Sequence, residues 1–113
     1  MKTTLILLTT TLSLALPAQA NSPQNPALVR GAKLYQQHCA ICHGEKGKGD
    51  GLAAKSLTPP PRDFSKGVFR YSKNEAERLA FVKKGKPPMP AWGNTLSDAE
   101  LKDVLAFIQT LKR

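Results

Sequence analysis

Cys39-Ala40-Ile41-Cys42-His43 is the stretch from which the rest of this chain is read. Two cysteines three positions apart, with histidine directly after the second, form the attachment pattern of a c-type haem. The spacing has a chemical reason. Two thiols about one helical turn apart can each form a thioether with a haem vinyl group, and the adjacent imidazole then reaches the iron from the same side. A covalently held haem with a proximal histidine predicts an electron carrier or a haem-based sensor.

These are the only two cysteines in the chain, which leaves three other chemistries to weigh. A disulfide across three residues closes a small, strained and reactive ring. A thioredoxin-like redox pair needs a βαβ context, and no strand-like run precedes the motif. A zinc site draws four ligands, typically from two separated pairs, whereas His38, Cys39, Cys42 and His43 crowd along one segment. Covalent haem is the chemistry that fits.

The N-terminus agrees from another direction. Lys2 is followed by an apolar run from Leu5 to Leu16, and Pro17-Ala18-Gln19-Ala20 ends in an Ala-x-Ala pattern. This predicts a signal peptide over residues 1–20, cleaved after Ala20, and export to the periplasm, where such haems are attached. The run is shorter than the ~20 apolar residues a spanning helix needs. No later segment is apolar enough to serve as a membrane anchor, and no cysteine follows the cleavage point to carry a lipid. Residues 21–25 form a polar, flexible leader, and 26–113 form one small domain. Aromatic residues make up only 6% of the chain, so a side-chain core alone would be thin and a buried macrocycle would supply its centre.

Three helices are predicted. The first starts near Pro26, with Asn25 as cap, and carries Leu28, Gly31, Ala32, Tyr35 and Cys39 at helical spacing into the motif. The second opens with Ser72 and Glu75 as a capping box, turns Ala76, Leu79, Ala80 and Val82 inward, and ends with Lys83, Lys84 and Gly85. The third opens with Ser97 and Glu100, with Leu101, Val104, Leu105, Ile108 and Leu111 as its apolar stripe. No segment alternates like a strand, so the fold class is all-α with substantial loops. Gly44, Gly47, Gly49 and Gly51 do not match a phosphate-binding loop and no strand precedes them. They read as tight turns close to the haem.

Pro59-Pro60-Pro61 lacks backbone donors but offers carbonyls, one of which is expected to accept a hydrogen bond from His43 Nδ1. A sixth iron ligand is expected from Met89, the only methionine outside the signal peptide. Prolines on both sides of it are expected to hold the segment extended and stiff. The other histidine, His38, lies beside Cys39 on the same side as His43 and is expected at the surface. A thioether ligand raises the reduction potential.

Over residues 26–113 the chain resembles a monohaem class I cytochrome c. The residues that carry the likeness are Cys39-x-x-Cys42-His43-Gly44, Gly47-x-Gly49-x-Gly51, Pro59-Pro60-Pro61-Arg62-Asp63-Phe64, Met89-Pro90-Ala91-Trp92 and Leu96-Ser97-x-x-Glu100. The resemblance implies that the first and last helices cross near-perpendicularly, with Gly31, Tyr35 and Phe107 at the contact. It also implies a proline carbonyl on the proximal histidine and polar groups near the propionates, for which Arg62 and Trp92 are the candidates. Pro59 and Pro60 belong to the same expected haem pocket. The middle section is shorter and richer in proline than the family pattern.

The net charge is +9, one lower once Lys2 is removed. Lys46, Lys48, Lys55, Arg62, Lys66, Arg70, Lys73, Arg78, Lys83, Lys84 and Lys86 fall between His43 and Met89, where they would surround the exposed haem edge and steer a redox partner with an acidic docking surface. Nucleic acid is not expected, because no basic stretch is interleaved with aromatics. The expected protein is a monomeric, soluble periplasmic one-electron carrier. It would hold one covalent haem c on Cys39 and Cys42, with His43 and Met89 as axial ligands and no catalytic residue. The alternatives are a haem-based sensor with a labile Met89 and an electron-transfer subunit of a larger redox complex.

Overall fold

The structure, a computed structural model, describes residues 25–67 and 69–113. The predicted signal peptide, and the predicted leader apart from Asn25, lie outside the described residues. Four α-helices are present among the described residues: α1 Pro26–His38, α2 Ala40–His43, α3 Glu75–Lys84 and α4 Asp98–Thr110. Three short 3₁₀ turns, Ala54–Ser56, Phe64–Lys66 and Trp92–Asn94, punctuate the loops between them. No strand occurs among the described residues, and the only pairing of that kind is an isolated bridge between Lys86 and Met89. The fold is all-α, as the periodicity predicts.

Helix α1 begins as expected. Asn25 Oδ1 accepts the Ala27 N–H at 3.0 Å, and proline occupies the first helical position, where its missing donor costs nothing. Helix α4 begins with a complete capping box: Ser97 Oγ accepts from Glu100 N at 3.2 Å, while Glu100 Oε2 accepts from Ser97 N at 2.8 Å. These bonds hold the Glu100 carboxyl below its usual pKa. Leu101, Val104, Leu105 and Ile108 are buried along one face of α4, the i, i+3, i+4, i+7 stripe of an amphipathic helix.

The α1–α4 contact is the most extensive between any two elements, and it depends on Gly31. A Cβ there would collide with the Asp103 carbonyl and stand 3.1 Å from Phe107 Cβ. The absence of a side chain lets the two backbones meet. Tyr35, fully buried one turn on, packs against Phe107 with ring centroids 5.3 Å apart and tilted by 56°. Arg30 Nε pairs with Asp103 Oδ2 at 2.8 Å on the rim of the same contact. Gly31, Tyr35 and Phe107 thus occupy the places assigned to them.

Helix α3 departs from expectation at its start. The cap is Asn74, not Ser72: Asn74 Oδ1 accepts from Glu77 N at 2.9 Å, and Glu77 Oε2 accepts from Lys73 N at 2.7 Å. The Asn74-x-x-Glu77 spacing repeats that of Ser72-x-x-Glu75 two residues later, and Tyr71, just before it, stacks on Phe81 at 5.4 Å and 14°. The inward face is also narrower than expected. Ala76 and Ala80 are exposed, while Leu79 and Val82 pack against the core as expected. The helix ends at Gly85, with φ +69°, after Lys83 and Lys84.

Candidate cofactor site

The motif sits where α1 hands over to α2. Cys39 interrupts the helix, but its N–H still donates to Tyr35 O at 2.8 Å, and His43 N–H donates to Cys39 O at 2.9 Å. A buried hydrogen bond from Tyr35 Oη to the Gly44 carbonyl, 2.7 Å long, ties the far end of α2 to the core. The glycine loop then wraps the motif. The N–H groups of Gly49, Gly51 and Ala53 donate to the carbonyls of His43, Cys42 and Ile41 at 2.8, 3.1 and 2.9 Å. Carbonyls that a short helix leaves unpaired are satisfied in this way. Gly49, at φ +74°, also lies against the Pro61 carbonyl, where a Cβ would approach to 2.6 Å. The glycines therefore hold α2 in place by close backbone approach, as tight turns.

His43 is fixed on two sides. Its Nδ1 lies 3.1 Å from the Arg62 carbonyl oxygen, and its ring stacks on Phe64 at 4.5 Å with 19° between planes. A carbonyl only accepts, so the proton lies on Nδ1 and the Nε2 lone pair is left for a ligand bond. Burial lowers the imidazole pKa, partly opposed by the Arg62 carbonyl, and so favours the neutral ring. The acceptor is the residue after the proline triplet, not one of Pro59, Pro60 or Pro61. Pro61 O instead faces Gly49, which turns the next carbonyl toward the ring. Burial, with Cys42 adding to it, pushes the Cys39 thiol up to about 11. That value is the opposite of the depressed pKa of a redox dithiol.

All eight residues named from the sequence (Cys39, Cys42, His43, Pro59, Pro60, Arg62, Met89 and Trp92) line one cavity of about 520 Å³. Its volume lies in the range of cofactor pockets. Met89 is presented differently from expectation. Its N–H donates to Lys86 O at 2.8 Å, so the segment is a closed turn with Pro87 and Pro88 at its centre, not an extended strut. The two prolines bring no N–H of their own, and the turn closes through Met89. His38 also lines the cavity and is half-buried, edge-on to Trp92 at 5.3 Å and 61°. It was expected at the surface, and the Trp92 turn covers it.

Phe69 completes the site and was not anticipated from sequence, while Phe64 was named only within its motif and Arg78 only among the basic residues between the two ligands; both line the cavity. Phe64 gave no signal beyond its neighbours in the Pro-Pro-Arg-Asp-Phe run. Arg78 lies four residues before Val82 and so shares its helical face, which is the signal that could have found it. Its Nε is buried without a hydrogen-bond partner. An apolar cavity with an oriented neutral imidazole, two adjacent thiols and a thioether fits a haem with two vinyl and two carboxylate groups.

Fold and cavity together define a monohaem c-type cytochrome domain, the class that carries haem c covalently and transfers electrons. Residues 26–108 match the family described as cytochrome c oxidase, cbb3-type, subunit III, and the chain belongs to that family. It is 35% identical over 88 residues to the cbb3-type cytochrome c oxidase subunit FixP of Azorhizobium caulinodans, covering 76% of this chain and 28% of that protein. The thiosulfate dehydrogenase of Stutzerimonas stutzeri is 30% identical, again with 76% and 28% covered. Cytochrome c6 of a Synechococcus strain is 31% identical over 110 residues, covering 96% of this chain and 91% of that protein. A solved chain of a reducing HAO-like protein complex from Kuenenia stuttgartiensis shares the fold, with a TM-score of 0.66 at 24% identity over 92% of this chain and 50% of that one. The chain thus spans under a third of the oxidase subunit it matches and nearly all of the cytochrome c6.

Proposed function

We propose that this chain is a periplasmic one-electron carrier, with haem c joined through Cys39 Sγ and Cys42 Sγ and its iron held between His43 Nε2 and Met89 Sδ. Bound there, the haem supplies a reversible one-electron couple. The protein does the rest. Tyr35 and the glycine loop immobilise α2, and the Arg62 carbonyl and Phe64 orient His43. The Lys86–Met89 turn presents the thioether, and a thioether ligand raises the potential. The observation that carries this reading is that Met89, far from the motif in sequence, lines the same cavity as Cys39, Cys42 and His43. Were His43 and Met89 both to hold the iron, no open position would be left for a substrate, and the chain would relay electrons without making or breaking bonds.

The end-to-end likeness to cytochrome c6 supports a free carrier. The partial matches to an oxidase subunit and to thiosulfate dehydrogenase support a second reading, in which the domain serves as the electron-transfer part of a redox complex. Either role requires redox protein partners. Exposed Arg70 and Lys86 on the cavity rim suit partners with acidic docking surfaces. No helix among the described residues is long and apolar enough to cross a membrane.

The test is spectroscopic. The oxidised protein should show the weak long-wavelength charge-transfer band of methionine bound to ferric iron, and the reduced protein should not bind carbon monoxide. Met89→Ala should lose the band and bind carbon monoxide. A wild-type protein that lacks the band or binds carbon monoxide readily is a sensor or ligand-binding protein, and the carrier assignment is then wrong.

A further inference from the structure

Phe64 and Phe69 belong to a wall shared by two cavities. Both line the cofactor cavity, and both line a smaller one of about 160 Å³ whose other walls include exposed Gln109 and Lys112. On the inner side Phe64 stacks on His43, with ring centroids 4.5 Å apart, and Phe69 follows 6.1 Å from Phe64. Phe64 is held in place by its own backbone. Its N–H donates to Gly47 O at 2.6 Å, and Asp63 caps the Phe64–Lys66 turn through Ser65 N at 2.9 Å. Phe64 is also partly exposed, so one ring spans the distance from the imidazole to solvent.

Three exposed lysines gather outside that ring. The Lys112 side chain lies over Gly67, where a Cβ would come within 2.5 Å of its Cδ, and the next residue is tied to the turn by Arg113 N donating to Ser65 O at 3.0 Å. Lys66 and Lys48 both act on Asp63. The Ser65 hydroxyl first, and after it the Ser65 N–H and the charges of these two lysines, hold its carboxyl below the usual pKa. Lys48, Lys66 and Lys112 do not line the cofactor cavity, and neither Arg70 nor Lys86 lines the smaller one. The patch is therefore separate from the basic rim of the cofactor cavity. Tunnelling falls off exponentially with distance, and here a π system in contact with the imidazole reaches the surface beneath a positive patch.

We propose that the face around the Phe64–Lys66 turn is a second docking surface, for an acidic one-electron redox protein, and that Phe64 carries the electron between that partner and His43. The proposal rests on His43 holding the iron of haem c. One electron passes, the partner losing what the iron gains or the reverse, and no bond forms or breaks. With two basic faces, the chain can be reduced at one and oxidised at the other. The competing account is structural: Phe64 only orients the imidazole, and Lys112 only covers Gly67.

Two probes test it on the haem-loaded protein. Hexacyanochromate(III), a paramagnetic trianion, should broaden the amide NMR signals of Ser65, Lys66 and Gly67 in the reduced wild type, and leave those of Ser65 and Gly67 sharp in Lys66→Glu/Lys112→Glu. Reduced flavodoxin, an acidic protein that gives one electron to the oxidised form, should react roughly tenfold more slowly with that double variant at low salt. Phe64→Leu should also slow the reaction while the broadening persists. Broadening confined to the cavity rim around Arg70 and Lys86 overturns the second surface. Broadening at the turn with an unchanged flavodoxin rate makes the patch a small-ion site and overturns the docking. An unchanged rate in Phe64→Leu, with the potential and the methionine–iron band of wild type, overturns the route through the ring. The double lysine variant changes only exposed side chains, so it decides the docking even where Phe64→Leu fails to fold. A wild type that carries no haem is a different result and removes the functional reading itself.

Discussion

Gly31→Ala tests the crossing on which the cavity is built. The new Cβ would fall 2.6 Å from the Asp103 carbonyl carbon and 3.1 Å from Phe107 Cβ, with the carbonyl oxygen closer still. The obstacle is the backbone of α4, which cannot rotate away as a side-chain end could. Overpacking of this kind costs about 1–3 kcal/mol, and a rigid obstacle places it at the upper end. Against this, alanine in a helix interior is favoured over glycine by about 1 kcal/mol. The net loss is about 2 kcal/mol, which for a domain of this size lowers Tm by on the order of 10 °C. Thermal unfolding of the holoprotein, followed by circular dichroism, measures it. Lys33→Ala, at an exposed position of the same helix, is the control and should stay within about 0.5 kcal/mol of wild type. A Tm for Gly31→Ala equal to or above wild type would refute the reasoning, because the gain in helix propensity would then show unopposed and the two backbones could not be in contact.

Tyr35→Phe removes the one side-chain donor that the buried Gly44 carbonyl has among the described residues. It should lower stability by about 1–2 kcal/mol, seen as a lower urea midpoint at unchanged slope. The displaced start of α3 is checked the same way: Asn74→Ala should cost about 1 kcal/mol, and Ser72→Ala should stay within about 0.5 kcal/mol.

How far the sequence reached can be traced residue by residue. The motif, the cap at Ser97 and the stripe on α4 were legible because each is a local pattern whose chemistry is complete within a few residues. The Gly31, Tyr35 and Phe107 contact was legible through family resemblance. The start of α3 was misplaced because Ser72-x-x-Glu75 and Asn74-x-x-Glu77 satisfy the same local rule. The structure uses the second, with Tyr71 stacked on Phe81 beside it, a contact that local spacing does not encode. The same holds for the acceptor on His43. Any carbonyl near the proline triplet was eligible, and the approach of Gly49 to Pro61 selected Arg62.

Cys39-Ala40-Ile41-Cys42-His43 by itself determined the cofactor chemistry, because two thiols and an imidazole on adjacent turns form one reactive group wherever the chain folds. Only the tertiary structure decided what surrounds that group. Met89, Trp92 and Arg78 come from segments distant in sequence, and whether they meet depends on helices packing across a glycine and loops closing on carbonyls. The charge balance inside the cavity, and with it the orphaned Nε of Arg78, exists only after those segments have converged.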